Sequence, residues 1–272
     1  MPSLDQYFNV PSLVVGLTPE EAELQESVVK GWKSFSPEVD ITAFVKKTRW
    51  DPNRILSCVQ EASYNHPEVF FIKHRISLCQ WYRPDGGLRK IALSGMKYDF
   101  GALEYWTRRR KLGAVTAEAM SCIKGVAGEV EKALRLHDFL VHICDYDHVA
   151  KETNDQSSLA RTVYSALVRR KAVCEGYAMA YRYLLNAAGI VSDVAVSVST
   201  SHIWNYVRIY GKWYHVDVTY DNAFGVGSPS KGSNVCHHHF LMSDLKAKAT
   251  GHSNWSVRGL PSAEDLRFDG RF

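Results

Sequence analysis

VCEGYAMAYRYLLNAAG, residues Val173–Gly189, is the stretch on which the fold turns. Within it, Tyr177, Tyr181, Leu184, Leu185 and Ala188 recur at steps of three and four, so one helical face carries them. Gly189 supplies the stop, because glycine enters the left-handed conformation that closes many helices. The helix therefore opens at Cys174. Its first backbone N–H groups lack partners inside the helix and mark the positive end of the helix dipole. A thiolate is stabilised there, and the thiolate is the reactive form of cysteine. The same N–H groups can receive an oxyanion. Gly176 lets backbone approach closely.

Beyond Gly189 the period becomes two. Residues 191–198, 203–209 and 212–219 read as three strands of an antiparallel meander. Tyr210-Gly211 reads as a two-residue hairpin turn, with glycine at a positive-φ position. Ile209 then pairs with Lys212, which sets Trp204 opposite Asp217 and His202 opposite Thr219. His202 and Asp217 become diagonal neighbours on one sheet face, roughly 7–8 Å apart at Cα. A one-residue slip would separate them. An imidazole beside the thiol can take its proton. A carboxylate behind the imidazole fixes its tautomer and stabilises the imidazolium. His215 shares the strand face of Asp217 and is a rival base, but a polar aromatic residue there is expected to pack.

Upstream, EVEKALRLHDFLVHICDYD (129–147) places Val130, Leu134, His137, Val141 and Cys144 on one helical stripe. A polar loop, TNDQSSLARTVYSALVRR (153–170), leads into a second short helix. Further back, VFFIKHRISLCQWY (69–82), the turn Pro84-Asp85-Gly86-Gly87 and LRKIALSGMKYDF (88–100) read as a long β-hairpin. EEAELQESVVKGW (20–32) reads as a helix with Leu24, Val28 and Trp32 on one face. The fold class is α+β, and no internal repeat is visible. The best candidate boundary is Lys111–Val115, giving an N-terminal extension of helices and a hairpin (1–112) and a catalytic domain (113–272).

At 272 residues, 46% apolar and 23% charged, the chain can build a proper core. A net charge of +4 is well short of a dedicated nucleic-acid binder. Arg108-Arg109-Arg110-Lys111 is expected to be a solvated face, so no nucleic-acid partner is expected. The N-terminus lacks a signal-peptide pattern and no run approaches a membrane span, so a cytoplasmic protein without membrane contact is expected. Six cysteines without a CxxC pair suggest reduced thiols. Cys58, Cys79, Cys122 and Cys144 are expected in the core. Cys236-His237-His238-His239 invites a metal reading. On a strand such histidines alternate faces, so a partly exposed polar strand is expected instead, with no metal and no cofactor.

Three motifs in order carry a resemblance. Val173-Cys174-Glu175-Gly176-Tyr177-Ala178, His202-Ile203-Trp204-Asn205, and Gly211 through Asp221 (GKWYHVDVTYD) resemble the bacterial branch of the transglutaminase-like superfamily. The resemblance runs roughly from Val130 to Trp255. It implies a papain-like core with the nucleophile at a helix start packed on an antiparallel sheet. It also implies Cys174 as nucleophile, His202 as base and Asp217 as orienting acid. Tyr220 departs mildly from a pattern that often has Trp, without touching the triad. The implied chemistry is acyl transfer at an amide through a thioester, with hydrolysis favoured over cross-linking. A protein or peptide substrate is expected, a peptidoglycan-type peptide among the candidates. A non-catalytic interaction module keeping the fold is the alternative.

Overall fold

The computed structural model describes residues 10–73, 76–153, 159–223 and 235–272. Two residues of the expected hairpin (74–75), part of the polar loop (154–158), part of the loop-rich tail (224–234) and the first nine residues lie outside these. The chain forms two compact units, one from Leu17 to Thr107, the other from Arg108 to Phe272 together with the segment ending at Gly16.

In the first unit, helix Pro19–Lys33 begins with a capping box. The Thr18 side chain accepts from the Glu21 N–H, and the Thr18 N–H donates back to the Glu21 carboxylate. Leu24, Val28 and Trp32 are buried along its inner face. The hairpin pairs Ser77–Tyr82 with Leu88–Ser94, and Glu38–Asp40 adds to the far edge of Leu88–Ser94. Gly86 adopts φ +80° in the turn, and the Gly87 N–H donates to Asp85. The sheet is shorter than the apolar run suggests. Phe70 and Phe71 leave it to form an aromatic cluster with Tyr98, Phe100 and Tyr105. Clustered rings bury their large faces without needing a ladder partner.

In the second unit, the Cys174–Ala187 helix is buried on nearly every side. A helix apolar all round belongs at the centre of a core. It packs on an antiparallel sheet in the order Lys212–Val216, His202–Ile209, Ser192–Ser197, Trp255–Ser256. Asn205 donates to the Ala178 carbonyl at 2.9 Å, fixing strand to helix. Arg182 and Asp193 form a buried ion pair at 2.7 Å. Helix Glu129–Ile143 lies alongside, its buried face being Ala133, Leu136, His137, Leu140 and Val141. That stripe is rotated from the expected one, since Val130 and Leu134 are only half-buried.

Lys111–Val115 lies inside a continuous helix, Ala102–Cys122. Within the basic run, Arg109 is buried and donates to the Tyr183 hydroxyl, while the Arg108 guanidinium lies over the Tyr164 ring. The run is therefore not a uniformly solvated face. All six cysteines are free thiols. Cys58 and Cys144 are buried as expected, but Cys79 is half-buried and Cys122 is exposed.

Candidate active site

Cys174 is the first residue of its helix. Val173 before it is extended and offers no side-chain cap, so the first-turn N–H groups receive no side-chain acceptor. Gly176 is required sterically: a Cβ there would come 2.4 Å from the Ala160 carbonyl oxygen and 2.7 Å from Ala172 Cβ. That close approach seats the helix start against the 160–172 segment. Glu175, an acid beside the thiol, is neutralised by Arg161 at 2.9 Å. Cys174 itself is 6% exposed.

The hairpin count holds through the strands. Tyr210 and Gly211 both have positive φ, and Lys212 pairs with Ile209 through to Val216 with Asn205. It fails one residue later. The strand ends at Val216, and Val218–Ala223 is a short helix, so Thr219 is not opposite His202. Asp217 sits at the junction and caps that helix. Its Oδ1 accepts from the Thr219 N–H at 3.0 Å and the Tyr220 N–H at 3.1 Å. This competition by a short acid for local N–H groups ends the ladder. The turned backbone brings Asp217 closer to His202 than a sheet diagonal would, with Nε2 2.6 Å from Oδ2.

Oδ2 also accepts from His252 Nε2 at 2.9 Å, so Asp217 receives four hydrogen bonds while fully buried. Burial resists its ionisation, but His202 and His252 overcome this and hold its carboxyl far below the usual range. Burial likewise opposes the His202 imidazolium. The Asp217 charge and hydrogen bond, with a smaller contribution from the Cys174 sulfur as acceptor, outweigh it and push His202 up to about 10. With Nε2 on Asp217, the nitrogen left for the thiol is Nδ1. The ring stacks with Tyr220, 4.6 Å away at 16°, and with Trp204, 5.5 Å away at 22°. Tyr220 thus contacts the histidine directly.

His215 is otherwise engaged. Its Nδ1 accepts from Trp204 Nε1 at 2.9 Å, which makes it a neutral ring, and its Nε2 donates to Asp244 at 2.8 Å. Burial lowers its pKa despite Asp244. It has no free nitrogen and packs, as expected.

His252 was not among the expected site residues. It lies 35 residues beyond Asp217 in a loop-rich tail, and no local pattern marks it. The Cys236–His239 run is not a strand; its last two residues, His238 and His239, lie in a turn. His237 reaches Asp138 at 2.7 Å and His239 reaches Asp221 at 2.9 Å. Among the described residues, two triplets have donor atoms within 4.8 Å of one another: His202, Asp217, His252 and His137, Asp138, His237.

Residues 117–218 match the model of the transglutaminase-like superfamily. This segment is a transglutaminase-like core. Cys174, His202 and Asp217 all lie inside the match, whereas His252 lies beyond it. The match begins earlier and ends earlier than the expected Val130–Trp255. Solved structures similar to the chain include "a TGase" at 13% identity and TM-score 0.37, covering 68% of this chain and 50% of that one. A candidate cysteine protease from Cytophaga hutchinsonii is 14% identical at TM-score 0.31, covering 54% and 63% of the two chains. A candidate protease from Parabacteroides distasonis is 12% identical at TM-score 0.32, covering 52% and 35%. The chain spans about half the length of the first of these. No curated protein matches it significantly. Among the described residues no helix is long and apolar enough to cross a membrane.

Proposed function

We propose that this transglutaminase-like chain is a cysteine hydrolase acting on amide bonds of a protein or peptide, with Cys174 as nucleophile, His202 as base and acid, and Asp217 as orienting carboxylate. The single observation carrying this is the buried His202 ring, with Nε2 2.6 Å from the buried Asp217 carboxylate, on a strand packed against the helix that opens at Cys174.

The thiolate sulfur attacks the amide carbonyl carbon, and the C=O electron pair moves to oxygen. The oxyanion is received by N–H groups at the uncapped helix start. The C–N bond breaks as His202 protonates the leaving amine, giving a thioester. His202 then takes a proton from water, which attacks the thioester carbon, and the acid leaves with Cys174 restored. An amine in place of water would make the same thioester a cross-linking intermediate. Hydrolysis is favoured by the resemblance to bacterial members of the superfamily.

The test is acyl-enzyme trapping. The intact chain is mixed with a panel of amide-bearing peptides, including cell-wall stem peptides, quenched in acid and weighed by mass spectrometry. A mass increment equal to the acyl part, located on Cys174 and absent from Cys174→Ala, is expected. Turnover that persists in Cys174→Ala would refute the assignment.

A further inference from the structure

A second polar cluster has no role in the chemistry above. His137 and Asp138 are consecutive on helix Glu129–Ile143, and His237 arrives from a segment 99 residues beyond Asp138. Asp138 Oδ1 lies 3.0 Å from His137 Nδ1 and 2.7 Å from His237 Nε2. We infer that His137, Asp138 and His237 are the protein ligands of a divalent transition-metal site of the zinc class.

Four features carry this. The donor atoms lie within 4.8 Å of one another. A tetrahedral zinc with bonds of about 2.0–2.2 Å holds its ligand atoms roughly 3.3–3.6 Å apart, so Asp138 Oδ1, 3.0 Å from His137 Nδ1 and 2.7 Å from His237 Nε2, needs to draw back from each by less than about 1 Å. The far nitrogen of His137, Nε2, is 3.1 Å from the buried Asp221 carboxylate. A carboxylate on the outer nitrogen is the usual support of a ligating histidine, because it fixes the tautomer and raises ligand basicity. Asp221 is itself held by the His239 N–H at 3.0 Å and by His239 Nδ1 at 2.9 Å.

The site is also accessible. The His137 side chain is wholly buried, but those of Asp138 and His237 are 32% and 23% exposed, which leaves an open side for entry and for water to complete the shell. Two imidazoles and one carboxylate suit zinc, whereas calcium and magnesium prefer oxygen alone. The bound ion would tie helix Glu129–Ile143 to the 237–239 segment. The His239 carbonyl in that segment accepts from the Asp217 N–H at 2.9 Å, so the ion would steady the backbone behind Asp217.

Tag-free, chelator-stripped full-length chain is titrated with ZnCl2 by calorimetry, and with Co²⁺ by visible absorption. The expected result is one equivalent of zinc and tetrahedral-type cobalt bands. Cys174→Ala, His238→Ala and His252→Asn keep both, which excludes the thiol, the neighbouring histidine and the second triplet. His237→Ala and Asp138→Ala lose them while circular dichroism stays native, and Asp221→Asn weakens binding roughly 10–100-fold. Absence of saturable 1:1 uptake by the wild type overturns the site. So does uptake that survives in both His237→Ala and Asp138→Ala, or that disappears in His252→Asn. If Asp221→Asn does not fold, the two exposed-ligand variants decide.

Discussion

Tyr220 stacks face to face on His202, with ring centroids 4.6 Å apart and planes inclined by 16°. The ring that would carry positive charge during catalysis is thus covered by an electron-rich face, and Trp204 also stacks on it, 5.5 Å away at 22°. Aromatic faces stabilise cations by about 0.5–2 kcal/mol, more when desolvated. Tyr220→Trp should retain the effect. Tyr220→Ala should slow Cys174 alkylation roughly 3–30-fold and shift its pH profile, while thermal unfolding changes little. Stopped-time mass spectrometry across pH reads both; an unchanged profile in Tyr220→Ala would show the stacking to be only packing.

The His202–Asp217 pair also predicts how stability varies with pH. The folded pKa of His202 is raised above its unfolded value of about 6.5, to about 10. The stabilisation is therefore full below about pH 6.5 and is lost as pH rises through about 10. Urea unfolding of the wild type should lose up to a few kcal/mol between pH 7 and pH 10. His202→Asn should show a flatter curve, and the difference isolates this pair from other ionising groups. Parallel curves for the two proteins would contradict the pairing.

Asp217→Asn keeps the shape but removes the anion behind His202. Turnover should fall by several orders of magnitude, yet by less than in Cys174→Ala, as orienting carboxylates cost less than nucleophiles. Initial rates on whichever peptide acylates Cys174 decide this.

Gly176→Ala would drive a Cβ to 2.4 Å from a backbone carbonyl oxygen, which has no rotamer to escape into. Overpacking of this kind costs about 1–3 kcal/mol. Calorimetry should show a lower Tm for the transition containing the core, and alkylation of Cys174 should lose its selectivity as the helix start shifts.

Removing His215 tests which histidine is the base. His215→Ala orphans the buried Trp204 indole N–H, costing about 1–3 kcal/mol of stability. Its alkylation rate at Cys174 should stay within about threefold of wild type, because both ring nitrogens of His215 are engaged by Trp204 and Asp244. A collapse of the rate equal to that in His202→Ala would reverse the assignment.

Much of the core was legible because it rests on local signals. The helix from Cys174 is announced by a three–four repeat and ended by Gly189, which takes φ +77°. The register follows from two residues, Tyr210 and Gly211, whose positive φ values fix the hairpin. The end of the strand at Val216 was hidden, because Val216-Asp217-Val218-Thr219 continues the apolar–polar alternation. Only the Asp217 side chain, turning to cap Thr219 and Tyr220, breaks it. His252 was hidden for another reason. Its tie to Asp217 spans 35 residues through irregular chain, and periodicity says nothing about such contacts. Arg109 looked solvated within a basic run, yet its side chain turns inward to Tyr183. A run of charges does not reveal which member faces the core.

The central claim is that Cys174 is an activated thiol, and its reactivity against an internal reference tests it most directly. Cys122 is exposed, whereas Cys174 is 6% exposed, so access alone favours Cys122. The intact chain is pulsed with iodoacetamide at pH 6.5 and the two sites are quantified by peptide mass spectrometry. Cys174 is predicted to react at least about tenfold faster than Cys122, because an ordinary thiol with pKa near 8.5 is about 1% thiolate at that pH. The advantage should vanish in His202→Ala. Reaction of Cys174 no faster than Cys122, or an advantage undiminished in His202→Ala, would contradict the account.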